Sequence, residues 1–157
     1  MRKRVIQPVP DATTPDGRAW LPLEQLAQVE ITSEDPAYPI ESAFVPGAAT
    51  GWRAAAPGAQ TIRLLFDRPQ RLSRIRLVFV ESEVPRTQEF VLRWSPDGGQ
   101  SYHEIVRQQW NFSPPQGARE VEDYRVELAA VTALELTIVP NISGGDAHAS
   151  LAAFQLA

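Results

Sequence analysis

The chain has 157 residues, 43% hydrophobic and 22% charged, a balance that suits one globular domain with a sizeable core. A net charge of −4 gives bulk binding to nucleic acid no support. Cysteine is absent, which excludes disulfides, thiolate chemistry and cysteine-based zinc sites.

Residues 1–25 read as an extended, proline-containing lead-in, and 1–157 as a single domain. Met1–Arg4 is basic, but Val5-Ile6-Gln7-Pro8 follows in place of a signal-peptide core, and no run approaches the ~18 apolar residues of a membrane span. Taking Met1 as the start, the expected location is cytoplasmic, without membrane contact. Leu23–Leu26 and Ile40–Phe44 each suit a short turn of helix.

Beyond these, prolines and glycines punctuate short apolar runs in which a period of two dominates. Ala27–Thr32 is the first predicted strand. In Gln60–Phe66, Ile62, Leu64 and Phe66 oppose Thr61 and Arg63; in Leu72–Val80, Ile75, Leu77 and Phe79 oppose Arg74 and Arg76. In Gln88–Trp94, Phe90, Leu92 and Trp94 oppose Glu89 and Arg93. Ser101–Arg107 follows. Tyr124–Leu128 and Leu134–Ile138 alternate in the same way, and Ala149–Leu156 closes the set. About eight short strands without intervening helices predict an all-β antiparallel sandwich, or jelly roll.

If consecutive strands run antiparallel, the short links 67–71, 95–100 and 129–130 share one end of the sandwich. The longer ones, 33–59, 81–86, 108–122 and 140–148, share the other, and long loops on a rigid sheet are where binding residues gather. The stretch Ser95-Pro96-Asp97-Gly98-Gly99-Gln100-Ser101-Tyr102 is similar to the Asp-box of sialidases. It falls at the short-link end, and Asp-Gly-Gly between two alternating runs is a strong hairpin signal, so it reads as a turn.

At the long-loop end, Trp110-Asn111-Phe112 combines aromatic faces with an amide, and Arg86, Arg119, Asn141, Asp146 and His148 fall on the same end. Aromatic stacking beside convergent polar groups is how a sugar or similar polyol is held. The competing reading is that Trp110 and Phe112 plug the core. Asp146-x-His148 offers two metal ligands and no third. Ser143, Asp146 and His148 are of triad types, but no Gly-x-Ser-x-Gly elbow is present. Glu81 with Glu83, and Glu120 with Glu122 and Asp123, are carboxylate pairs that read as a charged rim. No catalytic residue, cofactor or metal is expected.

The order of Tyr38–Phe44, Thr50-Gly51-Trp52-Arg53, Thr61–Asp67, Leu72–Leu77, Phe90–Ser95 and Ser150–Phe154 resembles the discoidin, or coagulation factor 5/8 type C, family. The resemblance covers roughly 27–157. It implies a galactose-binding-like jelly roll and a binding module for glycans, lipids or proteins, with a structural calcium before the Trp segment. This chain has Val45-Pro46 where that pattern carries Asp-Gly and Ala152-Ala153 where it carries Glu, so no calcium is expected. Trp52–Ile62 also resembles a segment of the amino-terminal domain of the X-ray repair scaffold protein, which implies a protein partner. The expected partner is thus a carbohydrate or a protein, and the expected role is binding.

Overall fold

The computed structural model describes residues 19–47 and 50–157, so most of the predicted lead-in lies outside the described residues. The elements in chain order are α1 (Leu23–Leu26), β1 (Ala27–Ile31), α2 (Glu41–Phe44), β2 (Trp52–Pro57), β3 (Gln60–Val80), β4 (Arg86–Ser95), β5 (His103–Phe112), β6 (Arg119–Val139), β7 (His148–Leu151) and β8 (Ala153–Leu156).

Two strands of 21 residues organise the sandwich. β3 and β6 pair antiparallel from Gln60 opposite Ile138 to Val80 opposite Arg119, with register shifts between Leu65 and Arg74. Extra residues in a ladder bend it, and here the bend carries Asp67, Arg68, Pro69, Ala129 and Ala130 into solvent. One hydrogen-bonded pair thereby supplies both leaves. The first half of β3 and the second half of β6 stand in the order β1-β3-β6-β4-β5, and β8 adds to the second half of β3. The leaves meet through inward alternate positions: Ile62, Leu64, Ile75, Leu77, Phe79, Phe90, Leu92, Leu134, Leu136 and Ile138 are buried. The Phe79 ring stacks on Phe90 across the core at 5.1 Å between centroids. β2 and β7 form a separate antiparallel pair.

About eight strands are expected and eight are present among the described residues, but they are not the same eight. Gln60–Phe66 and Leu72–Val80 are one strand, as are Tyr124–Leu128 and Leu134–Ile138, because the ladder continues around the corner. Ala149–Leu156 divides at Ala152, whose N–H donates to the Val78 carbonyl at 2.7 Å. β2 lies within the expected linker 33–59, and β5 runs on to Phe112, which shortens the loop predicted at 108–122. The two ends keep their character: residues 67–71 and 129–130 bend and 96–102 turn at one end, while 32–47, 81–85, 113–118 and 140–147 meet at the other. The turn at 95–101 is a hairpin built on Asp97. It accepts from the Ser101 hydroxyl (2.6 Å), the Ser95 hydroxyl (2.7 Å) and the Ser101 N–H (2.9 Å). Those donors, Ser101 foremost and then Ser95, pull its carboxyl down to about 2.

Candidate functional site

The long-loop end carries a cleft of about 360 Å³ walled by four stretches of chain. Its polar lining includes Tyr38, Arg53, Glu81, Glu83, His148 and Ser150. The local reasons for this convergence are visible in the backbone. Asp35 N–H donates to the Arg53 carbonyl (2.9 Å) and Arg53 N–H to the Tyr38 carbonyl (3.2 Å), so the segment after β1 runs beside β2 and sets Tyr38 next to Arg53. An Asp35 turn holds that segment, its Oδ1 accepting the Ala37 N–H at 2.9 Å. Trp52 is buried beneath as a floor, its indole N–H donating to the Ser33 carbonyl at 3.2 Å. Gly51 lets β2 start hard against β7, where Trp52 pairs with Leu151.

Glu81 shapes the opposite wall. Its Oε1 accepts from Arg86 Nε at 2.8 Å, and its Oε2 from the N–H groups of Glu83 (3.2 Å) and Val84 (3.4 Å). Burial alone pushes this carboxyl up; Arg86 and the two amides outweigh it and hold the group below the usual carboxylate range. Arg53 and Glu83 make no ion pair among the described residues. His148 Nδ1 lies 2.9 Å from the Ala54 carbonyl. A carbonyl only accepts, so Nδ1 carries the proton and Nε2 of the neutral ring is an acceptor.

Of the eight residues expected at the site, His148 alone lines this cleft. Phe112 is 1% exposed and plugs the end of the core, with the Arg86 guanidinium 4.6 Å from its ring centroid. It offers no face to a ligand. Arg86 is 5% exposed and bonds Glu81, Gln88 and the Pro140 carbonyl (2.7 Å). Trp110 is half-buried against the core edge, its indole N–H donating to the Gly117 carbonyl at 3.2 Å. It shares a separate, more open hollow of about 390 Å³ with Gln109 and Asn111. Asn111 accepts from the Thr87 hydroxyl at 2.6 Å, and Asn141 from the Ser143 N–H at 3.1 Å. Arg119 and Asp146 are exposed and line neither depression. The common cause is the length of β5: Trp110 and Phe112 belong to a strand, where Phe112 closes the core and Trp110 lies half-buried at its edge.

Tyr38, Arg53, Glu81, Glu83 and Ser150 were not among the expected residues. A signal for Arg53 existed, since Trp52-Arg53-Ala54 alternates and puts Arg53 on the wet side of a strand. No group of three or more His, Asp, Glu or Cys able to hold a metal occurs among the described residues. Around Gly51, Thr50 is exposed, and Ala152 and Ala153 stand where a carboxylate would be needed. These donors do not fit a hard cation.

No protein-family model matches the chain, and no curated protein matches it. Solved structures do. The family 32 carbohydrate-binding module of C. perfringens NanJ, in complex with galactose, is similar over 87% of this chain and 96% of that one, with 14% identity and a TM-score of 0.63. The corresponding module of AlyQ, in complex with 4,5-unsaturated mannuronic acid, covers 84% and 95%, with 17% identity and a TM-score of 0.61. Reduced XRCC1, bound to the catalytic domain of DNA pol beta, covers 84% and 95%, with 15% identity and a TM-score of 0.61. The fold is therefore the all-β jelly roll that these carbohydrate-binding modules and XRCC1 share.

Proposed function

We propose that the chain is a non-catalytic binding module that recognises a carbohydrate or similar polyol in the cleft between β2, β7 and the 81–85 loop. The observation that carries this reading is the lining of the cleft. Sugar hydroxyls need donors and acceptors in close alternation, and the walls supply both: Arg53 donates, Glu83 and Nε2 of His148 accept, and Tyr38, Ser82 and Ser150 do either. Tyr38 adds an aromatic surface for the apolar face of a ring. The volume lies in the range of about 300–1,000 Å³ typical of small-molecule sites. Solved relatives in fold hold galactose and an unsaturated uronate.

Catalysis has no support in the same lining. Ser150 donates to the Val80 carbonyl at 3.5 Å and His148 to the Ala54 carbonyl, so neither is set up for the other. A glycosidase needs a cleft carboxyl raised to act as an acid, whereas Glu81 is lowered by its ion pair.

A glycan-array screen tests the reading. A specific hit lost in both Tyr38→Ala and Arg53→Ala and kept in Trp110→Ala supports the cleft. A hit lost only in Trp110→Ala moves the site to the hollow on β5. A blank array with folded protein overturns the proposal. One observation favours a second reading, a protein-binding domain: Val80, Val84, Val121 and Ile142, exposed large aliphatic side chains, belong to or flank the loops of this end.

A further inference from the structure

Behind the cleft wall, between the leaves, lies a polar cluster whose hydrogen bonds do not balance if every carboxyl is ionised. Glu120 follows the first residue of β6, faces inward opposite Phe79 and is 1% exposed. Gln88 Nε2 donates to its Oε1 at 3.5 Å, while its buried Oε2 has no hydrogen-bond partner. Glu122, two residues along the same face of β6, lies within hydrogen-bond reach of Glu120 and accepts from the Tyr124 hydroxyl at 2.7 Å.

Among the described residues, the groups that face Glu120 are Arg86 and Gln88 from β4, Glu122 and Tyr124 from β6, and Phe79 from β3. Arg86 is the cation among them, and it is already bonded to Glu81, Gln88 and the Pro140 carbonyl. A bare carboxylate is costly to bury, and a second one beside it raises that cost. A proton on Oε2, donated to Glu122, resolves both problems and accounts for the partnerless oxygen.

We propose that Glu120 is protonated at neutral pH, and that this proton keeps Arg86 on Glu81, so that losing it draws the guanidinium inward and releases the Glu81 wall of the cleft. Burial first, then the hydrogen bond to Glu122 and its charge, push the Glu120 carboxyl up to about 8, with Arg86 acting in the opposite direction. Arg86 is thus a positioning residue. It joins the 81–85 loop to the 140–147 loop, and Glu120 determines which carboxylate it serves. The consequence for ligand binding rests on the cleft being the ligand site; the proton does not.

The test is a titration of side-chain carboxyl carbons by NMR in protein carrying ¹³C-labelled glutamate, with Arg86 Nε–H followed in parallel. The range is from about pH 4 to 10. Expected is one glutamate titrating two or more pH units above the others. It disappears in Glu120→Gln and moves down in Glu122→Gln, and the Arg86 resonance shifts with the same midpoint. Every glutamate titrating in the ordinary range overturns the proposal, as does an Arg86 resonance indifferent to the titration. If Glu120→Gln does not fold, the downward movement in Glu122→Gln decides alone. A blank glycan array removes the cleft reading and leaves these NMR outcomes standing. A glycan hit adds one arm: its affinity must change across the same pH interval in wild type and stay flat in Glu120→Gln.

Discussion

The tightest backbone approach in the cleft wall gives the sharpest prediction. Gly51 has a φ of +68°, and a Cβ placed there would sit 2.5 Å from the Leu151 carbonyl oxygen and 2.8 Å from the Ala152 Cα. Both obstacles are backbone, so Gly51→Ala cannot be absorbed by a side-chain rotamer. The left-handed conformation alone costs an alanine about 1–2 kcal/mol. Moving the β7–β8 junction away also strains the 2.7 Å hydrogen bond from Ala152 N–H to the Val78 carbonyl, which adds about 1 kcal/mol. The total is about 2–3 kcal/mol, a large part of the ~5–15 kcal/mol that holds a domain together. Gly58→Ala is the matched control. Its φ is +88°, and nothing among the described residues lies within 4 Å of its Cβ position, so it carries only the conformational cost of about 1–2 kcal/mol. Urea unfolding followed by tryptophan fluorescence separates the two. Gly51→Ala should shift the midpoint down by about 1 M or more, and Gly58→Ala by clearly less. Equal shifts would refute the claim that β2 starts in contact with β7.

Two further outcomes follow from the charges and donors described above. Glu135, 4% exposed on the outer side of β6, is pushed up by burial but held below its usual range by Arg93 and Arg63, which both bond it. A carboxyl depressed in the folded state stabilises above its unfolded pKa and loses that contribution as pH falls through the folded one. Glu135→Gln should therefore flatten the loss of stability below about pH 4.5. At neutral pH it should cost about 1–3 kcal/mol in urea titrations, between the values for exposed and for buried ion pairs, because Glu135 is buried while both arginines reach solvent. The donor set around Gly51 predicts indifference to calcium: adding millimolar calcium or chelator should leave Tm within about 1 °C, since a ligand that does not bind the folded state cannot stabilise it.

The leaves were legible because their inner faces obey a period of two. Ile62-x-Leu64-x-Phe66 and Leu134-x-Leu136-x-Ile138 announce one buried side each, and burial follows that alternation. Continuity was not legible. Asp67-Arg68-Pro69 and Ala129-Ala130 look like turns, yet both strands bend together there, and a bulged ladder needs no apolar signal to persist. β2 escaped for a different reason: Ala54-Ala55-Ala56-Pro57 has no β-branched residue, and only Trp52 and Ala54 of the strand are buried. Its partner β7 makes it a strand, and a partner nearly a hundred residues away leaves no local mark.

The end of the molecule that carries the cleft could be read from link lengths, whereas the cleft itself could not. Tyr38, Arg53, Glu83 and His148 come from four separate stretches and meet through backbone bonds such as Arg53 N–H to the Tyr38 carbonyl. The aromatic pair Trp110 and Phe112 reads as a loop feature when β5 is taken to end at Arg107. Carrying its alternation forward puts Trp110 and Phe112 inside, in register with Gln88 and Arg86 of β4. The same parity exposes the internal cluster. Extending Phe90-x-Leu92 backwards places Gln88 and Arg86 on the buried face, and an arginine and a glutamine at inward positions break the pattern that the rest of the strand keeps. Such a break requires buried partners, and Glu81, Glu120 and the Pro140 carbonyl are those partners. The informative residues at this end are therefore the polar ones where the alternation demands an apolar side chain, because only a tie between loops explains their burial.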